Sequence, residues 1–284
     1  MSWERHLRAL GRSERTIETY LESADQFDAW LPSGTDLLDV TTADVESWIV
    51  HLIDTRSAPT ARIRFVAIRQ LCKWAAAESE IPADPTSTMA QPAQPSREVP
   101  IVADDDVRRL LASITGSDFE DRRDSAILWT LAGTGIRAGE LIGMTTASVS
   151  LDARMLTVIG KGDRERTVAI GDKVILALDR YERVRRRHRY SMLDAYWLGL
   201  RGPVGVSGLR QIVRRRGRAV GIDDLHPHRF RHTFAHRWLA AGGSETGLQT
   251  SAGWKSPQML QRYGASAKAE RARAEAERLQ LDDF

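Results

Sequence analysis

The sequence predicts a mainly α-helical protein with one small β-hairpin, arranged as a helical first domain and an α+β second domain. Its 284 residues are enough for about two domains, and the apolar fraction of 42% is enough to give ordinary cores. Apolar residues recur at helical spacing over most of the chain, whereas β-rich patterning is confined to residues 156–170. This composition excludes a disordered chain.

A proline-rich stretch marks the boundary between the two domains. Five of the ten prolines fall between Pro82 and Pro100, and residues 90–100 show neither helical nor strand periodicity, which is typical of an exposed linker. We therefore expect a helical domain over residues 1–88, a linker over 89–100, a second domain over 101–264 and a C-terminal tail over 265–284.

Three helices are predicted in the first domain. Ser13 is a suitable N-cap for the first of them, and Thr41 or Thr42 begins the second. Residues 59–77 carry apolar side chains at helical spacing and form the third.

The second domain is predicted to mix helices with a hairpin. Two β-rich runs flank a turn at Gly160–Asp163, which is a hairpin signal. Gly247 lies where a short helix is expected before Trp254, so we expect that helix to be frayed. The remaining helices are predicted at residues 103–113, 121–133, 173–190, 207–220, 227–241 and 257–263.

The formal net charge of +3 conceals an uneven distribution. Residues 1–95 hold 9 basic and 14 acidic side chains, whereas residues 180–237 hold 15 arginines against 4 acidic residues, a net charge of +11. Such a cationic section indicates a polyanionic partner. The stretch Arg56–Lys73 has five basic residues and no acidic one. A face that contacts phosphate and a merely solvated helix face explain this stretch equally well.

The counts of individual residue types exclude several classes of protein. Thirty-six of the 41 basic residues are arginines, and the codon bias of a GC-rich genome would largely explain this ratio. Because lysine is rare in this chain, a lysine within a motif is informative. The single cysteine, Cys72, rules out an intrachain disulfide and cysteine-cluster metal sites. The sequence shows no secretory signal and no run of ~18 apolar residues, so we expect a cytoplasmic protein.

Two segments carry candidate groups for a reaction at an anion. Arg137 follows a glycine turn at the start of a predicted helix, and Glu140 lies one turn later on the same face. An arginine braced in this way suits phosphate binding, although a surface ion pair has the same spacing. Lys161 stands between two glycines at the hairpin turn, where it would either deliver a proton or lie solvated.

Two further segments carry histidine, arginine and tyrosine side chains. His228, Arg231 and His232 share one face of a predicted helix. Arg231 between the two histidines would repel a cation, and no glutamate completes a metalloprotease pattern, so a metal site is disfavoured. Tyr263 ends a short helix that begins at Ser256, and taken alone it would be ordinary half-buried packing.

Together these side chains point to metal-free phosphoryl transfer. Two arginines and a histidine suit a phosphodiester, a lysine suits a general acid, and a tyrosine suits a nucleophile. A phenol with a pKa of ~10 needs help to attack. Guanidinium groups stabilise the anionic transition state, and a nearby imidazole takes the proton. The sequence contains no carboxylate cluster suited to Mg²⁺.

This ordered set resembles that of the tyrosine recombinase (phage integrase) family. Trp254 and Tyr263 stand nine positions apart, as the family pattern requires, and the resemblance covers essentially the whole chain. Residues 201–264 look most like integrases of actinobacteria and their phages. The resemblance implies a SAM-like core-binding domain followed by the family's α+β catalytic domain, and no separate arm-type domain. The catalytic residues that it implies are Arg137, Lys161, His228, Arg231, Trp254 and Tyr263.

The resemblance implies how a strand would be cut. Tyr263 attacks the scissile phosphate, forms a 3′-phosphotyrosyl link and releases a 5′-hydroxyl. Lys161 protonates the leaving oxygen, and His228 assists proton transfer at the tyrosine. The link stores the energy of the broken bond, so no ATP is needed. The resemblance implies no cofactor and no metal.

The remaining residues are implied to bind the phosphate. Arg137 and Arg231 hold its non-bridging oxygens, and Glu140 braces Arg137. Trp254 occupies a position that is histidine in many members, and its indole N–H donates to the phosphate.

The implied partner is double-stranded DNA at core (attachment) sites. Family members imply a homotetramer on DNA through cyclic exchange of the tail, with accessory DNA-bending or directionality proteins, and no membrane partner. The side chains predicted to contact DNA are Arg62, Arg64, Arg69, Lys73, Arg214, Arg215 and Arg229.

Several functions remain open at this stage. The first is integration and excision of a phage or mobile element, and a Xer-type dimer resolvase with the same chemistry is the alternative. A type IB topoisomerase is disfavoured by the two-domain layout and the tail. A DNA-binding regulator with a decayed active site is disfavoured by the complete residue set.

Overall fold

The chain divides into two compact units, Met1–Arg97 and Glu98–Phe284. Its described part is mainly helical with small antiparallel sheets, which confirms the predicted fold class. The predicted linker stays a prediction, because half of its residues lie outside the described part. Within that part, no helix has the length and apolar character needed to cross a membrane. The computed structural model describes residues 2–36, 39–93, 100–160 and 163–254.

Four helices form the described part of the first unit. Ser13, Thr41 and Ser57 each accept a hydrogen bond from a backbone N–H in the first turn of the helix that follows, so local capping fixes three of the four starts. The first helix was not predicted, and it buries Trp3 and Leu7. The helices are α1 (Ser2–Ala9), α2 (Glu14–Asp28), α3 (Thr42–Thr55) and α4 (Ala58–Ala77).

The main core of the first unit packs aliphatic side chains around three buried aromatic rings. The rings of Phe27 and Trp48 lie 4.8 Å apart, and Phe65 of α4 is fully buried in the same cluster. Burial raises the pKa of the Cys72 thiol to about 12, so this thiol packs in the core as an unreactive side chain.

The described part of the second unit begins with helices and then forms a three-stranded sheet. The strands pair antiparallel in chain order, with Met155 opposite Ala169 and Gly160 opposite Arg164. The predicted hairpin is therefore confirmed, and a short strand that was not predicted extends it. These elements are α5 (Asp104–Ala112), α6 (Phe119–Thr134), α7 (Ala138–Ile142), β1 (Val149–Ser150), β2 (Met155–Gly160) and β3 (Arg164–Ala169).

The rest of the second unit is mostly helical. The helix predicted over 173–190 is shorter in the structure and ends at Arg185. The chain after it folds back, so that residues 191–196 surround the Arg185 side chain. The buried guanidinium of Arg185 donates to four backbone carbonyls between Ser191 and Tyr196, at 2.7 to 3.1 Å. The elements are α8 (Asp172–Arg185), β4 (Leu198–Gly199), β5 (Gly202–Pro203), α9 (Val206–Arg218), α10 (Pro227–Ala240) and α11 (Glu245–Ala252).

The prediction that Gly247 would fray its helix is wrong. Helix α11 is complete, and its N-cap Ser244 accepts a hydrogen bond from the backbone N–H of Gly247. A Cβ at this position would lie 3.1 Å from the ring of Trp238. The glycine therefore lets α11 pack closely against α10, and this packing outweighs its low helix propensity.

A buried carboxylate joins α6 to α9. Asp124 is inaccessible to solvent and accepts hydrogen bonds from three guanidinium groups. Arg123 binds one oxygen at 2.8 Å and 3.0 Å, while Arg215 and Arg216 bind the other at 2.7 Å and 2.8 Å. Arg215 and Arg216, which belong to the cationic section, therefore hold α9 against α6 through Asp124.

Replacing Asp124 with alanine is expected to destabilise the protein by about 3–5 kcal/mol, because it leaves the buried Arg123 without its carboxylate. Urea denaturation followed by circular dichroism measures this loss. The matched control is Asp105→Ala, which removes an exposed carboxylate paired with Arg108 and is expected to change stability by less than about 1 kcal/mol. Equal losses in the two variants would contradict a structural role for Asp124.

Candidate active site

The site is built around the short helix α7. Arg137 is its N-cap, and the Glu140 carboxylate, three residues later, accepts a hydrogen bond from the Arg137 backbone N–H at 2.7 Å. The same carboxylate accepts Nη1 of Arg137 at 2.7 Å. The predicted brace is therefore present, and it holds both the backbone and the guanidinium of Arg137.

Arg166 of β3 is a second partner of Glu140. Its Nη1 and Nη2 donate to the two carboxylate oxygens at 2.7 Å and 2.9 Å. Burial alone would raise the pKa of Glu140, but the hydrogen bonds from Arg166 and Arg137 outweigh it and lower the pKa to about 2. Glu140 is thus a carboxylate clamped by two arginines.

Arg231 is the second arginine that the sequence analysis selected. It is 2% exposed on α10, and it donates to the Gly135 carbonyl at 2.9 Å and to the Ala252 carbonyl at 2.7 Å. Gly135 ends α6 with a φ of 60°, and a Cβ there would collide with Phe234. Only glycine fits this turn, so the end of α6 is shaped to receive Arg231.

Three guanidinium groups meet consecutive carbonyls at the C-terminal end of α11. Arg166 donates to Ser251 at 3.1 Å, Arg231 to Ala252 at 2.7 Å, and Arg137 to Gly253 at 3.0 Å. The last carbonyls of a helix lack intrahelical donors and carry partial negative charge, so cations stabilise them. This arrangement is named the arginine–carbonyl cluster below.

Trp254 follows directly after the arginine–carbonyl cluster. Its side chain is 4% exposed and packs with Leu239 and Leu248, and the Arg231 guanidinium lies 5.1 Å from the centre of its ring. Gly253 turns the chain with a φ of 63°, and a Cβ at this position would lie only 3.1 Å from the Arg166 guanidinium. The position of Trp254 is therefore fixed by both the helix end and the apolar cluster.

His228 lies on the same face of α10 as Arg231 and His232. The rings of His228 and His232 are 4.4 Å apart at 69°. Partial burial, followed by the positive charges of Arg231, His226 and Arg137, lowers the pKa of His228. Burial and its neighbours lower the pKa of His232 to about 3. His228 therefore stays neutral, and able to accept a proton, to a lower pH than an ordinary histidine.

A cavity of about 510 Å³ lies against α7, α9 and α10, and neither Trp254 nor Glu140 is among the described residues that line it. Arg137, His228 and Arg231 line it, together with His226 and Arg210. The sequence analysis missed Arg210, because nothing near it in the sequence distinguishes it from the other arginines of α9. A cavity lined by three arginines and two histidines is suited to an anion.

Two of the predicted catalytic residues, Lys161 and Tyr263, lie outside the described residues. So do the predicted helix at 257–263 and the tail at 265–284. Their roles stay predictions.

The predicted DNA contacts of the first unit are largely engaged within it. Arg62 donates to the Pro92 carbonyl at 2.9 Å, and Arg64 donates to Ser23 at 2.9 Å with 13% of its side chain exposed. Arg69 donates to the carbonyls of Thr86 and Met89, whereas Lys73 is exposed. The basic stretch of α4 therefore joins helices and loops within its unit, and its contact with DNA stays a prediction.

The predicted contacts of the second unit are similarly divided. Arg214 is exposed on α9, but Arg215 is bound to Asp124. Arg229 donates to the carbonyls of Ile101 and Asp224, at 3.1 Å and 3.4 Å. The sequence analysis attributed the +11 charge of residues 180–237 to a polyanionic partner, but carbonyls and carboxylates of the second unit bind several of these arginines. Only part of that charge is therefore left for a partner, and its contact with DNA stays a prediction.

Comparison with family models assigns the chain. Residues 101–270 match the model described as the phage integrase family, and residues 1–79 match the phage integrase N-terminal SAM-like domain. The chain belongs to the phage integrase family of tyrosine recombinases. Both predicted halves of the recombinase are thereby confirmed as family domains.

Curated relatives of this recombinase cover most of its length. It is 31% identical over 258 residues to the tyrosine recombinase XerC of Corynebacterium efficiens, covering 89% of this chain and 82% of that protein. It is 31% identical over 278 residues to XerD of Corynebacterium glutamicum, covering 92% and 91%. These relatives agree with the actinobacterial resemblance.

Solved structures share the fold of the recombinase. The XerH recombinase bound to palindromic difH substrate aligns with a TM-score of 0.78 and 17% identity, covering 92% of this chain and 79% of that one. A lambda integrase dimer bound to a COC′ core site aligns with a TM-score of 0.73 and 18% identity, covering 92% and 75%.

Acid is expected to remove the contribution of Glu140 to stability. Its folded-state pKa of about 2 lies below an unfolded value of ~4.3. The stabilisation is therefore fully present above about pH 5 and is lost as the pH falls through 2. Urea denaturation across this range should show that the stability difference between wild type and Glu140→Gln narrows by about 3 kcal/mol. Glu18→Gln, which changes an exposed carboxylate, is the control. A difference for Glu140→Gln that is independent of pH would contradict the clamped carboxylate.

Proposed function

We propose that this protein is a site-specific recombinase that cuts and rejoins duplex DNA through a 3′-phosphotyrosyl intermediate. The observation that carries the proposal is the cavity in which Arg137, His228 and Arg231 converge. A phosphodiester in this cavity would meet guanidinium groups already held by the protein, and such fixed donors stabilise charge without reorganising during the reaction.

The proposed cleavage step is a transesterification. The Tyr263 oxygen bonds to phosphorus as the bond from phosphorus to the 5′-oxygen breaks. His228 accepts the phenolic proton, for which its lowered pKa keeps it neutral. Lys161 gives a proton to the leaving 5′-oxygen. The reverse sequence with a 5′-hydroxyl from another strand rejoins the DNA, so one phosphodiester is exchanged for another without a net input of energy.

The charge of the transition state is assigned to side chains rather than to a metal ion. Arg137 and Arg231 are proposed to bind the non-bridging oxygens, and Arg210, which lines the same cavity, is proposed to contact an adjacent phosphate. Trp254 is proposed to complete the phosphate site. We therefore propose a metal-independent reaction.

For the biological role, we propose resolution of dimeric DNA, as in Xer-type systems. The sequence analysis placed integration and excision of a phage or mobile element first. The similarity to XerC and XerD along about nine tenths of the chain favours the Xer-type alternative. Assembly as a homotetramer by exchange of the tail, and the need for accessory proteins, stay predictions.

A trapped covalent complex tests the chemistry. The protein would select its binding site from a random duplex library, and that site would be nicked next to the scissile phosphate so that the released fragment diffuses away. We expect wild type to form a protein–DNA adduct in EDTA, seen as a shifted band in a denaturing gel.

Tyr263→Phe is the matched variant for this experiment, because it removes only the nucleophilic oxygen. It is expected to bind the same duplex and to form no adduct. An adduct in Tyr263→Phe would overturn the assignment of the nucleophile, and a strict requirement of wild type for Mg²⁺ would overturn the metal-independent reaction.

Recombination on a plasmid tests the role. A resolvase acts on two copies of one site, whereas an integrase joins two different sites. We therefore expect a plasmid with two direct copies of the selected site to be resolved into two smaller circles, which gel electrophoresis detects. Recombination that occurs only when one copy is replaced by a different attachment sequence would support integration instead.

A further inference from the structure

Arg166 is held at the active site but is kept away from the substrate cavity. Its Nη1 and Nη2 bind Glu140, and its Nε binds the Ser251 carbonyl, so each of its three nitrogens has a partner within the protein. Its side chain is 16% exposed, and Arg166 is not among the described residues that line the cavity. Arg166 therefore lies outside the cavity that Arg137, Arg210 and Arg231 line.

We propose that Arg166 is a positioning residue for DNA cleavage, which ties Glu140, and through it Arg137, to the C-terminal end of α11. This inference rests on the proposed function. Arg166 lies on β3 and connects this strand to α7 and α11. Its partners Glu140 and Ser251 lie 26 and 85 residues away from it in the chain. Losing it would remove one of the two arginine partners of Glu140 and one of the three guanidinium contacts at the end of α11, so Arg137 and the chain leading into Trp254 would both be held less firmly.

The same guanidinium also braces the base of the hairpin that carries Lys161. A Cβ placed on Gly160 would lie 3.5 Å from the Glu140 carboxylate and 3.9 Å from Nη1 of Arg166. The residue directly before Lys161 therefore packs against the Glu140–Arg166 pair. The buried Glu140–Arg166 pair thus lies beside the base of the hairpin while it contacts Arg137 and the end of α11.

Arginine suits this position better than lysine does. Its planar group presents two donors to the carboxylate and a third, in another direction, to the carbonyl. A lysine ammonium would keep the charge, but it would lose the fixed geometry of a bidentate pair. Arg166→Lys separates the charge of the residue from its geometry.

The first experiment measures binding and cleavage separately on the nicked duplex. Arg166→Gln is expected to keep the affinity for DNA within about twofold and to lower the rate of adduct formation by about 100-fold, the cost of a misplacement of about 1 Å. Arg166→Lys is expected to lie between, with a loss of about tenfold. The control is Arg164→Gln, two residues earlier on β3, where an exposed arginine is removed. It is expected to cleave at the wild-type rate once bound.

The second experiment does not depend on activity. Carbon NMR titration of labelled glutamate carboxyls, with Glu140 assigned by comparison with Glu140→Gln, measures the pKa of Glu140 directly. Arg137 and Arg166 are the charged groups that hold this carboxyl ionised. Arg166→Gln is therefore expected to raise the pKa of Glu140, and Arg164→Gln is expected to leave it unchanged.

The outcomes separate this inference from the proposed function. A wild-type cleavage rate in Arg166→Gln would overturn the positioning role, as would a loss of DNA affinity that accounts for the whole loss of rate. An unchanged pKa of Glu140 in Arg166→Gln would also overturn it. If Arg166→Gln fails to fold, a wild-type rate in Arg166→Lys is the contradicting result. Failure of wild type to form any adduct would refute the proposed function, while the titration would still test the contact between Arg166 and Glu140.

Discussion

The C-terminal end of α11 is the point at which the active site is assembled. Its last carbonyls would be left without donors, and Arg166, Arg231 and Arg137 satisfy three of them in succession. Because these arginines come from β3, α10 and the start of α7, satisfying one helix end fixes the distances between three elements. The groups proposed to receive the phosphate are thereby held in place by contacts within the protein, which is the condition for electrostatic catalysis.

The parts of this fold that the sequence predicted are those determined by nearby residues. Ser13 and Thr41 cap their helices through residues within one turn, and Glu140 braces Arg137 three residues away. Arg166 and Arg210 were missed because their significance depends on distant residues. In the sequence, Arg166 is one of two arginines on a short polar strand, and nothing local distinguishes it from Arg164.

The error about Gly247 and the correction to the cationic section have a similar origin. Helix propensity treats a glycine as a loss, but the structure uses its missing side chain to seat Trp238. Charge counting treats each arginine as a surface cation, but Arg64 and Arg215 are bound to groups of their own units. Neither helix propensity nor a count of charges takes account of the groups that pack against a residue in the folded protein.

The guanidinium of Arg185 shows that arginines in this chain also have a structural role. One side chain gathers four carbonyls from a single loop, which the single nitrogen of a lysine, on a flexible stem, cannot span. Replacing arginine by lysine would leave the net charge unchanged. At Arg185, however, it would break the set of hydrogen bonds that holds the loop over residues 191–196 to the end of α8. Whatever codon usage contributes to the number of arginines, the architecture determines that an arginine in a position such as that of Arg185 cannot be exchanged for lysine.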